Sequence, residues 1–261
     1  MKATRTLSSL GALAFALSMI ATGCSSDNSS MSEAHDTFSN DSYERPCTDH
    51  ATHAKGASIL ADTYANYAAL DAGEADDAYS RDSRSTNSTT LIFTPHGGGI
   101  EAGTTEIADA VASTNYDYYS FTGLKSPNSA NSVLHITANN FDEPTAVSMV
   151  QAATRTVAMH GCAETTEIVY CGGRDITLRN AIYTQLRAAG FTADTLCPSG
   201  LDGTGPNNIT NRNSNSAGVQ LEISKGLRQA LFSNLFNGPT NRANSKTSRF
   251  TQFVNAVRAA L

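Results

Sequence analysis

A chain of 261 residues, 40% of them hydrophobic, is long enough to bury a sizeable core within one domain of ordinary size. Its formal charge of −6 argues against non-specific nucleic-acid binding, which needs a basic surface. Removing residues 1–23 takes away Lys2 and Arg5 and no acid, which moves the balance to −8, so any acidic substrate would need a local cluster of arginines.

At the N-terminus, Lys2 and Arg5 precede an apolar run from Leu10 to Ile20 that ends in Ala21-Thr22-Gly23-Cys24. This is the build of a secretory signal peptide over residues 1–23, and the run is short for a bilayer span. Small residues before a cysteine also resemble a bacterial lipobox, in which Cys24 is lipidated after cleavage. Alanine stands three positions before the cysteine where that pattern has leucine. The expectation is export, with a membrane anchor on Cys24; plain secretion is the alternative. Residues 24–45, rich in Ser, Asp, Asn and Glu, cannot bury enough surface to offset their ordering entropy and read as a tether. Residues 46–261 then form the domain. Cys47, Cys162, Cys171 and Cys197 remain, and an even count in an exported chain suggests two disulfides in one of three pairings. Cys162 and Cys171 are near enough in sequence to be one pair, with Cys47–Cys197 as the other.

Along the domain, helix-like and strand-like stretches alternate, as in a single-domain α/β fold. Ile59, Leu60, Tyr64, Tyr67 and Leu70 stand at near-helical spacing. Residues 91–95 read as a strand, Val133–Ile136 as another, and residues 145–154 as a helix. Val157-Ala158-Met159 is a short strand leading to His160, and Ile168-Val169-Tyr170 is a further one. Asp175 caps a helix with Ile176, Ile182 and Leu186 on one face, stopped by Gly190. Residues 198–216, rich in Gly, Asn, Ser and Pro, make a long loop of the kind that is often functional. Val219–Ile223 alternates as a strand. Leu227, Leu231 and Leu235 mark a helix, and Phe250, Phe253, Val254, Val257 and Leu261 mark the last one.

The chemistry concentrates at strand ends. His96-Gly97-Gly98-Gly99-Ile100-Glu101 follows the apolar run Leu91–Pro95, so a histidine and a carboxylate are joined by glycines that let backbone approach a ligand closely. His160 also sits at a strand exit. Glu222 lies between Leu221 and Ile223, and a buried carboxylate needs a partner or a metal. Two imidazoles and one carboxylate are a catalytic zinc donor set that leaves a position for water. His96, Glu101 and His160 are therefore the candidate ligands of one Zn2+, with Glu222 as general base. Arg212, with Asn211 beside it in the long loop, is the candidate grip on a substrate carboxylate. His135 reads as structural or as a supporting residue. The plainer reading of each residue stands beside this one: a histidine hydrogen-bonded at a strand end, a glycine turn, a solvent-facing Glu222, a solvated Arg212.

At these residues the chain resembles the poly-γ-glutamate hydrolase family. The resemblance runs through His96–Glu101 with Ala102-Gly103-Thr104-Thr105-Glu106, then Leu134-His135-Ile136-Thr137 and Phe141-Asp142-Glu143-Pro144. It continues in Met159-His160-Gly161-Cys162 and Tyr170-Cys171-Gly172-Gly173-Arg174, and ends in Asn211-Arg212-Asn213, Gly218–Ser224 and Gly226-Leu227-Arg228, covering about residues 60–260. It implies a zinc-carboxypeptidase-like fold, a mixed sheet flanked by helices, with one zinc on His96, Glu101 and His160 and Glu222 as the catalytic carboxylate. The His–Glu spacing is wider here than in carboxypeptidases proper, so their substrate rules do not carry over. The expected partner is anionic poly-γ-glutamate or a γ-glutamyl peptide, for which Arg174, Arg179, Arg212 and Arg228 are available. Two rival functions are a non-catalytic surface lipoprotein that binds polymer or metal, and a zinc carboxypeptidase acting on ordinary peptides.

Overall fold

The computed structural model describes residues 62–261, so the expectations for the signal peptide, Cys24, the tether, Cys47, Ile59 and Leu60 fall outside the described residues. Helix α1 (Tyr67–Gly73) begins later than the sequence spacing suggests. Asn66 is fully extended, and its side chain accepts from the Ala69 amide, an N-cap that starts the helix there. Strands β1 (Tyr79–Arg84) and β2 (Thr90–Gly98), helix α2 (Thr104–Ala112) and strand β3 (Asp117–Gly123) follow. Next come α3 (Pro144–Ala152), β4 (Arg155–Cys162), β5 (Val169–Gly173) and α4 (Ile176–Ala188). The chain ends with β6 (Ala193–Asp194), β7 (Val219–Ser224), α5 (Lys225–Leu231), α6 (Pro239–Ala243) and α7 (Ser248–Arg258).

The seven strands form one mixed sheet in the order β1-β3-β2-β4-β7-β5-β6. The central run β3, β2, β4 and β7 is parallel, while β1 and β5 pair antiparallel with β3 and β7. β2 is buried along its whole length, which is why its sequence reads as continuously apolar rather than alternating. Along β4 and β7, Val157, Met159, Val219, Leu221 and Ile223 face a core shared with α2, α4, α5 and α7. On the other face, Leu91, Phe93, Tyr119, Phe121 and Ala158 pack with residues of α1, α3 and the segment 134–141. His160 and Glu222 occupy that second face and are paired in register across the β4–β7 ladder.

The expected α/β sheet flanked by helices is present, with differences in detail: the helix expected through Leu235 ends at Leu231. Val133–Ile136 is not a strand: a 3₁₀ turn covers Asn128–Leu134, held by the Asn131 side chain on Lys125 and Asn128. Leu134 and Ile136 are buried and His135 is only partly so, so the end of the 3₁₀ turn and the extended residue after it imitate strand alternation without a ladder. Nor do Cys162 and Cys171 pair, since both are free thiols. β7 lies between their strands, about 10 Å across the sheet, and Cys162 stands opposite Ser224 while Cys171 stands opposite Leu221, three residues further along, so they are beyond the reach of a disulfide. Cys197 is also a free thiol, and its Sγ lies beside Gly172. No helix of the described residues is long and apolar enough to cross a membrane.

Candidate metal centre and catalytic cleft

The cleft opens at the C-terminal ends of the parallel strands, where α/β sheets place their ligand sites. β2 shifts register between Thr94 and Gly97, which turns His96 out of the ladder. Gly98 has φ +65°, and a side chain there would meet the Gly123 carbonyl at 2.3 Å, so this turn requires glycine. The Glu101 amide donates to the His96 carbonyl at 3.0 Å, closing the loop and bringing its carboxylate back over the imidazole.

His96 Nε2 donates to the Ile136 carbonyl at 2.8 Å. A carbonyl can only accept, so the ring proton sits on Nε2 and Nδ1 keeps its lone pair. That Nδ1 lies 2.9 Å from Glu101 Oε1 and 3.1 Å from His160 Nδ1, and His160 Nδ1 is 3.7 Å from Glu101 Oε2. Two imidazole nitrogens and a carboxylate thus converge on one point. Their mutual separations suit atoms each about 2.0–2.2 Å from a common ion, so the donor set fits zinc. The Gly161 amide donates to Glu101 Oε2 at 2.7 Å and orients the carboxylate from behind. Burial opposes ionisation of Glu101, but His96 and His160 hold its carboxyl well below the usual range. Burial likewise opposes charging of His96, and Glu101 outweighs it and raises the imidazole pKa. His160 Nε2 is buried without a hydrogen-bond partner.

Glu222 is buried beside this cluster, opposite His160 in the ladder. Burial pushes its carboxyl up to about 7 against the pull of His160. Gln220, two residues earlier on the same face of β7, donates to Glu222 Oε1 at 2.7 Å and accepts from Asn208 Nδ2 at 2.8 Å. His96, Glu101, His160 and Glu222 all line one cavity of about 550 Å³, a size suited to a small ligand or one unit of a chain.

Asn211 and Arg212, expected to bind substrate, are not among the residues that line this cavity. Asn211 is buried; its amide donates to the Gly203 and Gly205 carbonyls and its oxygen accepts from the Gly218 amide. Arg212 donates to the Asn207 and Asn139 carbonyls. Both side chains hold the long loop, whose segment Gly200–Gly205 walls the cavity. Among the described residues that line it, Arg228 is the only arginine or lysine.

His135 is closer to the chemistry than the sequence suggested. It lines the cavity with its ring centroid 4.1 Å from that of His96, and its Nδ1 bonds Asp62 Oδ1 at 3.0 Å. Burial lowers its pKa to about 4. His96, Glu101 and His135 also offer ligand atoms within 4.8 Å of one another, but the 3.1 Å approach of the two Nδ1 atoms favours His160 as the third donor. Gln220 was missed in the sequence, although its two-residue spacing to Glu222 places both on one face of β7. Nothing local marked Asp62, whose partner Thr137 lies 75 residues away.

A family model described as poly-gamma-glutamate hydrolase matches residues 64–256. The UPF0714 protein YndL of Bacillus subtilis (strain 168) is 36% identical over 200 residues, covering 75% of this chain and 76% of YndL. The SPbeta prophage-derived UPF0714 protein YoqZ of the same strain is 39% identical over 175 residues, 67% of this chain and 63% of YoqZ. Among solved structures, a bacteriophage poly-gamma-glutamate hydrolase matches with a TM-score of 0.70 at 36% identity, covering 77% of this chain and 96% of that one. A zinc-free apo form of YndL matches with a TM-score of 0.70 at 35% identity, covering 75% of this chain and 95% of that one.

Proposed function

The chain belongs to the poly-gamma-glutamate hydrolase family, and from that premise we propose that it is a zinc-dependent hydrolase that cleaves γ-glutamyl amide bonds in poly-γ-glutamate or a related polymer. The observation that carries the reading is the convergence of His96 Nδ1, His160 Nδ1 and the Glu101 carboxylate beside a buried Glu222. His96, Glu101 and His160 would hold one zinc ion, which would supply a Lewis acid able to bring the pKa of a water toward neutrality and to polarise the scissile carbonyl. Glu222 takes the proton of the attacking water and delivers it to the leaving amine nitrogen. Gln220 fixes which carboxylate oxygen of Glu222 faces the cleft, because its amide occupies Oε1. The rest of the substrate would lie along the wall formed by Thr137, Asn139 and Gly200–Gly205.

The test is metal analysis joined to a polymer-length assay. Purified protein is expected to hold one zinc and to shorten poly-γ-glutamate. Glu222→Gln is expected to keep the metal and lose about 10²–10⁴-fold in kcat. Retained turnover in that variant would remove Glu222 as the base, and cleavage of α-peptides alone would replace the substrate class. We also propose export and anchoring through a lipid on Cys24, on the strength of the N-terminal sequence. Cys24→Ala is then expected to move the protein from the membrane fraction to the soluble one, and an unchanged distribution would refute the anchor.

A further inference from the structure

Arg228 lines the cleft, yet its guanidinium is committed to the backbone. Nε donates to the Ile223 carbonyl at 3.0 Å, Nη1 to the Ala102 carbonyl at 2.8 Å and Nη2 to the Cys162 carbonyl at 3.0 Å. Each acceptor lies one or two residues beyond a group of the proposed site: Ala102 after Glu101, Cys162 after His160, Ile223 after Glu222. The three come from separate pieces of chain, the β2–α2 loop, β4 and β7. The guanidinium lies flat against Gly161, where a side chain would meet its Cζ at 2.6 Å. Gly161 in turn gives its amide to Glu101 Oε2.

A buried guanidinium is costly unless its hydrogens are matched, and burying one to reach three carbonyls needs a reason. Hydrophobic contact could hold α5 on the sheet, but it could not set the distances between three strand ends. A rigid planar fork can, because its donor directions are fixed.

We propose that Arg228 is a positioning residue that sets the mutual placement of Glu101, His160 and Glu222, and thereby the zinc affinity of the site. The proposal rests on the zinc reading above. Arg228→Lys keeps the charge and loses the fork. Gly161→Ala keeps the arginine and forces it from its seat. Arg242, a buried arginine on α6 paired with Glu106 at 2.8 Å, serves as the comparison, because it is as enclosed and touches none of the site.

Zinc affinity by chelator competition, thermal unfolding and a kcat–KM split are measured for wild type, Arg228→Lys, Gly161→Ala and Arg242→Lys. Arg228→Lys and Gly161→Ala are expected to bind zinc about 10–100-fold more weakly. They are expected to lose kcat with KM little changed. Arg242→Lys is expected to lower thermal stability with zinc affinity unmoved. Wild-type zinc affinity in folded Arg228→Lys or folded Gly161→Ala would overturn the proposal. A raised KM alone would do the same by making Arg228 a substrate contact. Failure of both variants to fold would assign Arg228 to the fold rather than the site. A wild-type protein that binds no zinc would instead overturn the parent reading, and the brace with it.

Discussion

Single atoms decide the chemistry of this cleft. His96 can present Nδ1 because Ile136 takes its other nitrogen, and Glu222 can present one oxygen because Gln220 takes the other. Gln220→Leu removes the donor and leaves both Asn208 and Glu222 short of a partner. A hydrogen bond to a charged group is worth about 1.5–3 kcal/mol, so kcat should fall roughly 10–100-fold. Zinc content should stay at the wild-type level, because none of the three donors is touched; loss of zinc in this variant would show that Gln220 supports the metal rather than the base. The imidazole and carboxylate identities were legible in the sequence, since they stand at strand ends beside glycine. The hydrogen bonds of Asn211 and Arg212 to loop carbonyls were not. A polar side chain in a long loop has the same sequence signature whether it meets substrate or the loop's own carbonyls.

At the scale of elements, the site is held by contacts between segments remote in sequence. Asn211 ties Gly203 and Gly205 to the start of β7 through hydrogen bonds given by its amide and received by its oxygen. Asn211→Ala leaves three buried backbone groups to find new partners, at about 1–3 kcal/mol each if they fail. The expected result is faster hydrogen exchange confined to residues 200–205 and a higher KM; unchanged exchange there would show that the loop holds itself. The buried Arg242–Glu106 pair joins α6 to α2. Arg242→Met strands a carboxylate in the interior and should cost about 3–5 kcal/mol in denaturant unfolding. A loss below about 1 kcal/mol would show that Glu106 escapes to solvent. Long or strongly patterned elements were readable in advance. Examples are β2 from its unbroken apolar run and α4 from Asp175, whose side chain caps the helix by accepting from the Leu178 amide. Residues 133–136 read as a strand because alternating burial does not require a hydrogen-bonded neighbour, although 133 and 134 close a 3₁₀ turn.

For the whole molecule, charge and metal set the terms on which substrate and heat act. The chain carries a formal −6, and the proposed substrate is a polyanion. Their long-range interaction is therefore repulsive, and salt screens it over a Debye length of about 8–10 Å. Raising ionic strength from low values to about 0.15 M should lower the KM for polymer while leaving kcat alone. A KM that rises with salt would reveal a cationic track, with Arg174 and Arg179 as the first residues to change. Zinc that binds the folded chain and not the unfolded one also stabilises it, by about 2.7 kcal/mol at a free concentration one hundred times Kd. Chelation should lower the unfolding temperature, and an unmoved transition would mean that the ion contributes nothing to the folded state.

The sequence by itself determined the class of fold and the kinds of atom available. Apolar periodicity dictates which faces are buried, and only a few residue types can ligate zinc or shuttle a proton. It also placed His96, Glu101, His160 and Glu222 at the ends or on the faces of strands, because those positions are local properties. Which of them meet, which rival donors are already engaged, and what braces them were decided by the tertiary structure. The parallel order β2-β4-β7 lays residues 96, 160 and 222 side by side, across gaps of 64 and 62 positions that no local pattern spans. Arg228, Gln220 and Asn211 acquire their roles only there, since a hydrogen bond between remote segments exists only once the sheet has brought its two ends together.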